Sequence, residues 1–427
     1  MDGTSRSASS GRRCSRASVT ELRIDRDRLV EWAGLAIGTP SFTGDEQAMA
    51  ELMRETLLDL GLQVQWQQVE DGRANVLGTL PGAGGGPSLM FNGHMDTSYS
   101  GREPWLSHVP GFQPSAFVED DRLYGLGISN MKGALACYVE ALRALAGAGV
   151  RLRGDVLVAA VCGEIEKTQF GEAQGAEYRG YAAGSRYLVS HGGVADMCIL
   201  GEPTESKLVL GHFGSLWARI STKGPFVHTA FSEGRRGENS ILRMREVLDA
   251  VLEWIPGWEE DPHNAFRGAK ALVNVGAIEG GFGWRVSRTP HRTDLFLDVR
   301  VPPTKEMAVA RSQVLDLVRS LQERFPDHGI EGEVYVTAPG AEIDEGHALV
   351  SALEAAHAEV FGAPPERDVT RWFSDASVLT RYGIATVNYG TSTGLLDTVK
   401  GENLEIEGLV RTADVYARAA MKVCGVV

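Results

Sequence analysis

Apolar residues recur at helical spacing over residues 27–37 and again over 45–60, where Met49, Leu52, Met53, Leu57 and Leu58 follow an acidic start. Pro40-Ser41-Phe42 separates the two helices. Short apolar runs at Asn75-Val76-Leu77-Gly78 and Leu89-Met90-Phe91 predict strands, parted by the glycine-rich loop 81–87. The pattern then predicts a helix over 130–146, a buried strand over 156–161 and another at Met197-Cys198-Ile199-Leu200. Strands alternating with helices imply an α/β layer structure.

From about Leu208 the pattern changes. An amphipathic strand at 215–221 precedes a long periodic helix over 239–254. Strand-like segments at 271–278 and 294–301, a helix near 305–324 and a strand at 332–336 follow. That order predicts an inserted split βαβ, ferredoxin-like unit. Residues beyond 347 return to helix and strand and complete the first domain. The expected division is a disordered tail (1–18), a first domain in two parts (19–210 and 339–427) and a second domain inserted into it (211–338). A chain of 427 residues is long enough to need two cores.

Composition narrows the class. Hydrophobic residues at 43% and charged ones at 23% describe a globular protein, and a formal charge of -14 argues against a nucleic-acid partner. A pocket for a small anionic substrate remains compatible with that charge. The five cysteines, Cys14, Cys137, Cys162, Cys198 and Cys424, show no paired spacing and suit buried thiols in a reducing cytoplasm. No apolar run reaches the roughly 18 residues of a membrane span. Arg12-Arg13 has no apolar core behind it to make an export signal.

The chemistry concentrates at segment ends. Phe91-Asn92-Gly93-His94-Met95-Asp96-Thr97 puts an imidazole and a carboxylate two residues apart where an apolar strand runs out. A metal-ligating His usually has its second nitrogen fixed by a carboxylate or carbonyl, the role open to Asp96. Further donors follow at similar places: Asn130 in the glycine-punctuated turn 125–133, Glu164 and Glu166 after the strand ending at Val161, and Glu202 in Gly201-Glu202-Pro203-Thr204. Ligands of open α/β sheets gather outside the carboxyl ends of strands.

These segments resemble those of the metal-dependent aminoacylase and carboxypeptidase family that includes acetylornithine deacetylase, succinyl-diaminopimelate desuccinylase and the glutamate carboxypeptidases. Gly93-His94-Met95-Asp96, Met131-Lys132-Gly133 and Gly201-Glu202-Pro203-Thr204 carry the resemblance, which covers nearly the whole chain after the tail. It implies that the first domain is a zinc-peptidase-like catalytic domain with a mixed sheet between helices, and the inserted one a lid or dimerisation domain. Gly224-Pro225-Phe226-Val227-His228-Thr229 matches a segment whose His reaches a partner subunit's active site, so a homodimer or larger assembly is expected. Arg285 stands where that family has an Asn. With Arg288 it is a candidate for binding a substrate carboxylate. Tyr389 resembles a late Tyr-Gly turn that lines the pocket.

The departures shape the expected function. Asn130 replaces an aspartate that bridges two metals, Ile165 falls at the general-base position, and Thr398-Val399-Lys400-Gly401-Glu402 occupies the place of a late His. Residues 168–183 form an insertion beside the site. The expectation is one divalent transition metal (Mn, Zn, Co or Fe) held by His94, Glu202 and Asn130 or Glu166. Asp96, Glu164, Glu166 and His228 are the catalytic candidates. The favoured reaction is deamination of an aromatic amine, 5-nitroanthranilate to 5-nitrosalicylate and ammonia, as in one branch of the family. The alternatives are deacylation or dipeptide cleavage, and non-catalytic anion binding.

Overall fold

A mixed sheet of nine strands forms the larger layer of the computed structural model, which describes residues 22–391 and 399–427. The tail 1–18 lies outside the described residues. Parallel strands Val156–Val161, Leu89–His94, Met197–Leu200 and Ala385–Asn388 run through the middle. They are buried almost throughout, as expected of parallel strands covered on both faces. Antiparallel strands Gln63–Glu70 and Arg73–Leu80 extend one edge. The first of these alternates Gln with apolar residues and has too short an apolar run to stand out in the sequence.

Helices Arg26–Gly38, Gln47–Asp59, Gly133–Gly147, Ala348–Phe361 and Ile406–Cys424 pack in the core on one face. Ala183–Ser190 and Ala376–Leu379 cover the other. Gly133–Gly147 is buried on nearly every side, so its apolar residues run all round the helix rather than along one stripe. No helix among the described residues is long and apolar enough to cross a membrane. Cys137, Cys162, Cys198 and Cys424 are free and buried.

The second layer is a separate four-stranded antiparallel sheet. Its chain order is strand Gly214–Lys223, helix Ser240–Glu259, strands Val273–Gly280 and Arg292–Val301, helix Met307–Arg324 and strand Glu331–Ala338. The first strand lies between the third and the fourth, and the second is at an edge. Strict alternation of burial along Arg292–Val301 puts Leu295, Leu297, Val299 and Val301 against the two helices.

The opposite face of that sheet receives the insertion 168–183. Phe170 packs on Tyr335 at 4.2 Å between ring centroids, with the Arg219 guanidinium 4.9 Å from the Phe170 ring. The Tyr181 hydroxyl meets the Ser215 hydroxyl at 3.2 Å. Glu166, just before the insertion, takes a two-pronged pair from Arg300 at 2.8 and 3.1 Å. The insertion therefore fastens the larger layer to the smaller one.

His212 ends the strand Leu208–His212, fully buried, with its Nδ1 2.9 Å from the Phe213 carbonyl. Burial pushes its pKa down to about 4. A depressed base contributes stability that is present above its unfolded pKa of about 6.5 and is lost as pH falls through the folded value. Wild-type protein is expected to lose about 3 kcal/mol on this account between pH 6.5 and 4. The check is the pH slope of the unfolding free energy, which His212→Phe should flatten.

Candidate metal centre

Three neighbouring parallel strands end side by side, and the residues just beyond each ending carry the acids. His94 closes Leu89–His94 opposite Val161, so Asp96, Glu164 and Glu202 leave adjacent strands together. His94, Glu164 and Glu202 are buried and each presents one donor atom, all within 4.8 Å of one another. The His94 Nε2 lies 2.9 Å from the Asn130 Oδ1, 3.8 Å from Glu164 and 4.0 Å from Glu202. Its Nδ1 faces the Asp96 backbone carbonyl at 2.9 Å.

Asp96 organises the cluster from behind. Its carboxylate accepts the Glu164 N–H at 3.0 Å, the Ile165 N–H at 3.3 Å and the Thr43 hydroxyl at 3.0 Å, and lies 3.5 Å from His94 Nδ1. The loop that delivers Glu164 is thereby tied to the strand that delivers His94.

Asn130 arrives on the turn Ile128–Lys132, whose backbone leaves helical geometry at Asn130 and Met131. The regular helix begins at Gly133, three residues later than the periodicity predicts. The Asn130–Met131 peptide is cis. Gly127 opens the turn at φ +82°, where a Cβ would stand 2.7 Å from Thr97. Glu402 caps it, accepting the Ser129 N–H at 3.1 Å.

The electrostatics favour a cation. Burial, reinforced by Glu202, raises the Glu164 carboxyl well above its ordinary range. Burial raises Glu202 to about 7, with Asp375 adding and His94 opposing. Although burial works against it, the surrounding acids raise His94 well above the usual histidine value. Glu202 Oε1 has no hydrogen-bond partner. Buried acids around an imidazole are costly without a compensating positive charge. Mixed imidazole and carboxylate donors fit a divalent transition metal.

The cluster opens on a cleft of about 790 Å³ whose lining includes Tyr99, Asn130, Ile165, Trp372 and Phe373. Glu166 also lines it, but its carboxylate is engaged with Arg300, outside the His94 group. Tyr389 is buried beneath the cleft and does not line it: its hydroxyl pairs with His357 Nδ1 at 2.7 Å, and Gly390 beside it donates to Thr204 at 2.9 Å. It braces the turn that carries Glu202. His228 and Arg288 are bridged neighbours on the small sheet's unit, and Arg285, three residues before Arg288, is exposed. None of these three lines the chain's own cleft.

Asp375 completes the acidic centre. It is fully buried at the start of Ala376–Leu379, and neither carboxylate oxygen has a hydrogen-bond partner. Burial raises it to about 6, with Ser185 and His94 near enough to pull the other way. In the sequence Asp375 stands out in Ser374-Asp375-Ala376 without an assigned role, and the Trp372-Phe373 pair before it, beyond a short strand, is the signal that could have marked the aromatic wall.

Residues 90–422 match the model of peptidase family M20/M25/M40. A succinyl-diaminopimelate desuccinylase of Alkalilimnicola ehrlichii is 27% identical over 414 residues, spanning 93% of this chain and 99% of its own. Among solved structures, aminopeptidase PepT from Bacillus cereus superposes with a TM-score of 0.73 at 20% identity, covering 94% of this chain and 99% of that one. Human carnosine dipeptidase 1 gives 0.71 at 14% identity, covering 93% and 96%. These structural likenesses establish the fold, a mixed-sheet catalytic layer with a separate small antiparallel sheet.

Proposed function

This chain belongs to the M20/M25/M40 peptidase family of metal-dependent hydrolases, and we propose that it cleaves a C–N bond in a small amino-acid-like molecule using one divalent ion. The observation that carries this reading is the buried His94, Glu164 and Glu202 group at the strand ends, inside the family-matched region. Those three residues would hold the ion, with the Asn130 amide oxygen beside them. When bound, such an ion acidifies water and polarises the bond to be broken. Asp96 orients His94 and fixes the Glu164 loop. Glu166 is committed to Arg300 and is not a free proton acceptor, which leaves Asp375, fully buried and with its carboxyl raised to about 6 by burial, as the remaining acid near the group. The named relatives are a desuccinylase and peptidases, which supports an N-acyl amino acid or dipeptide as substrate.

A second reading, removal of an amine from an aromatic carboxylate such as 5-nitroanthranilate, is favoured by the cleft wall. Ile165 puts an apolar side chain beside the donors, and Tyr99, Trp372 and Phe373 supply aromatic surface for a flat ring. The two readings separate in one assay of manganese-loaded enzyme. Amine released from N-acyl amino acids or dipeptides supports the first, and ammonia released from 5-nitroanthranilate supports the second. No turnover of either would overturn both.

A dimer fits the small unit's surface. Phe231, Trp284 and Val286 are 76%, 79% and 82% exposed around His228, Arg285 and Arg288, a patch suited to a second copy of this chain. On this reading His228 serves the partner's cleft and Arg285 and Arg288 approach its substrate. His228→Ala should lower kcat by about 10²–10³-fold, the effect of losing one charge-stabilising donor. Mixing it with inactive His94→Ala should restore part of the activity, because one cleft per mixed dimer is intact. A monomer in sedimentation, or no restoration on mixing, contradicts the shared site.

A further inference from the structure

The cleft is acidic, and an anionic substrate entering it needs a cation. Two lysines line it, Lys167 and Lys207. Lys207 is already matched, with carboxylates of Glu205, Glu366 and Asp368 at 3.7, 3.5 and 3.8 Å. Lys167 is different. Its Nζ donates to the Ser98 carbonyl at 3.0 Å and rests 3.8 Å from the centre of the Phe42 ring. No ion pair joins it to a carboxylate among the described residues. Burial pulls its pKa down, against the more distant pull of Asp96, Glu103, Glu46 and Glu177, as happens to a cation partly removed from water without a close counter-ion.

We propose that Lys167 is the anchor for the substrate's carboxylate in this chain's own cleft, a specificity role that rests on the reading of a small amino-acid-like substrate. An ammonium has three donors, and among the described residues only one is used, on Ser98. The backbone of Lys167 is pinned at both ends: its N–H donates to the Ile165 carbonyl at 2.7 Å, and its carbonyl accepts the Gly180 N–H at 3.2 Å. It follows Glu164 by three residues on the same loop, so anchor and metal donors keep a fixed spacing. Arg285 and Arg288 stand outside this cleft, which leaves the cis position to Lys167.

The test is calorimetric titration of the full-length, manganese-loaded protein with benzoate and with its neutral isostere benzamide. Wild type is expected to bind benzoate more tightly than benzamide. Lys167→Met, which keeps the stem over Phe42, should lose about tenfold or more in benzoate affinity, the scale of one charge-assisted contact, with manganese affinity unchanged. Lys167→Arg, which keeps the charge, should retain most of the binding. Unchanged benzoate binding in Lys167→Met overturns the anchor. So does loss in both variants, or a wild type that binds the two probes equally or not at all. These titrations need no turnover, so their failure is separate from failure of the proposed reaction. An enzyme with turnover but an unaltered KM in Lys167→Met loses only the anchor.

Discussion

Arg73→Ala is expected to destabilise the fold by about 3–5 kcal/mol, because it breaks a buried ion pair by removing one partner. Arg73 is fully buried and grips Glu46 with two nitrogens at 2.7 and 2.6 Å. It also donates to Glu70 at 2.7 Å and to the Arg179 carbonyl at 2.8 Å, which ties the insertion to the sheet edge. Burial already raises Glu46 to about 7 against the pull of Arg73, so without that partner it would remain protonated over a wider pH range. Glu46 in turn accepts the Gly163 N–H at 3.1 Å, next to Glu164. Urea unfolding at neutral pH measures the loss. A change below about 1 kcal/mol, the scale of an exposed pair, contradicts the assignment. Replacing both partners with apolar residues of similar volume should cost less than Arg73→Ala alone.

The second large effect is on the ion. Asp96→Asn is expected to weaken divalent-metal binding by about 10–100-fold, as losses of residues that orient metal ligands do. An amide in place of the carboxylate would turn an NH₂ toward at least one of its donors, the Glu164 N–H, Ile165 N–H or Thr43 hydroxyl. Despite burial, the His94 contact and the Glu164 N–H hold the Asp96 carboxyl down at about 2, so it is charged throughout the working range. Manganese titration of wild type and variant gives the ratio. Equal affinity would mean that Asp96 does not set the imidazole.

The sequence pattern made the layered frame legible wherever burial was one-sided or complete. The apolar runs before His94 and Glu202 predicted central strands, and the alternation along 294–301 predicted a half-buried one. The unit order around 215–336 predicted the split arrangement of the small sheet. What stayed hidden was set by contacts distant in the chain. Glu164 and Glu166 stand two apart in a loop where strand periodicity has ended, so spacing alone could not separate them. Asp96 captures the N–H groups on one side, and Arg300, 134 residues away, captures Glu166 on the other. Tyr389 looks like a pocket residue in sequence, yet His357 and the Tyr416 hydroxyl draw it into the core. Asp375 gains its place only because the sheet brings it under strand ends more than 170 residues earlier. Helix pattern also extended too far at Asn130, where Gly127 and the Glu402 cap hold the turn open for the donor.

The central claim is that His94, Glu164 and Glu202 together hold one divalent ion. Metal analysis of manganese-loaded, dialysed protein tests it directly. The expected result is one ion per wild-type chain and loss of that ion in Glu202→Gln and in His94→Ala, with both variants folded. Two ions per chain, or an undiminished ion in either variant, would contradict it.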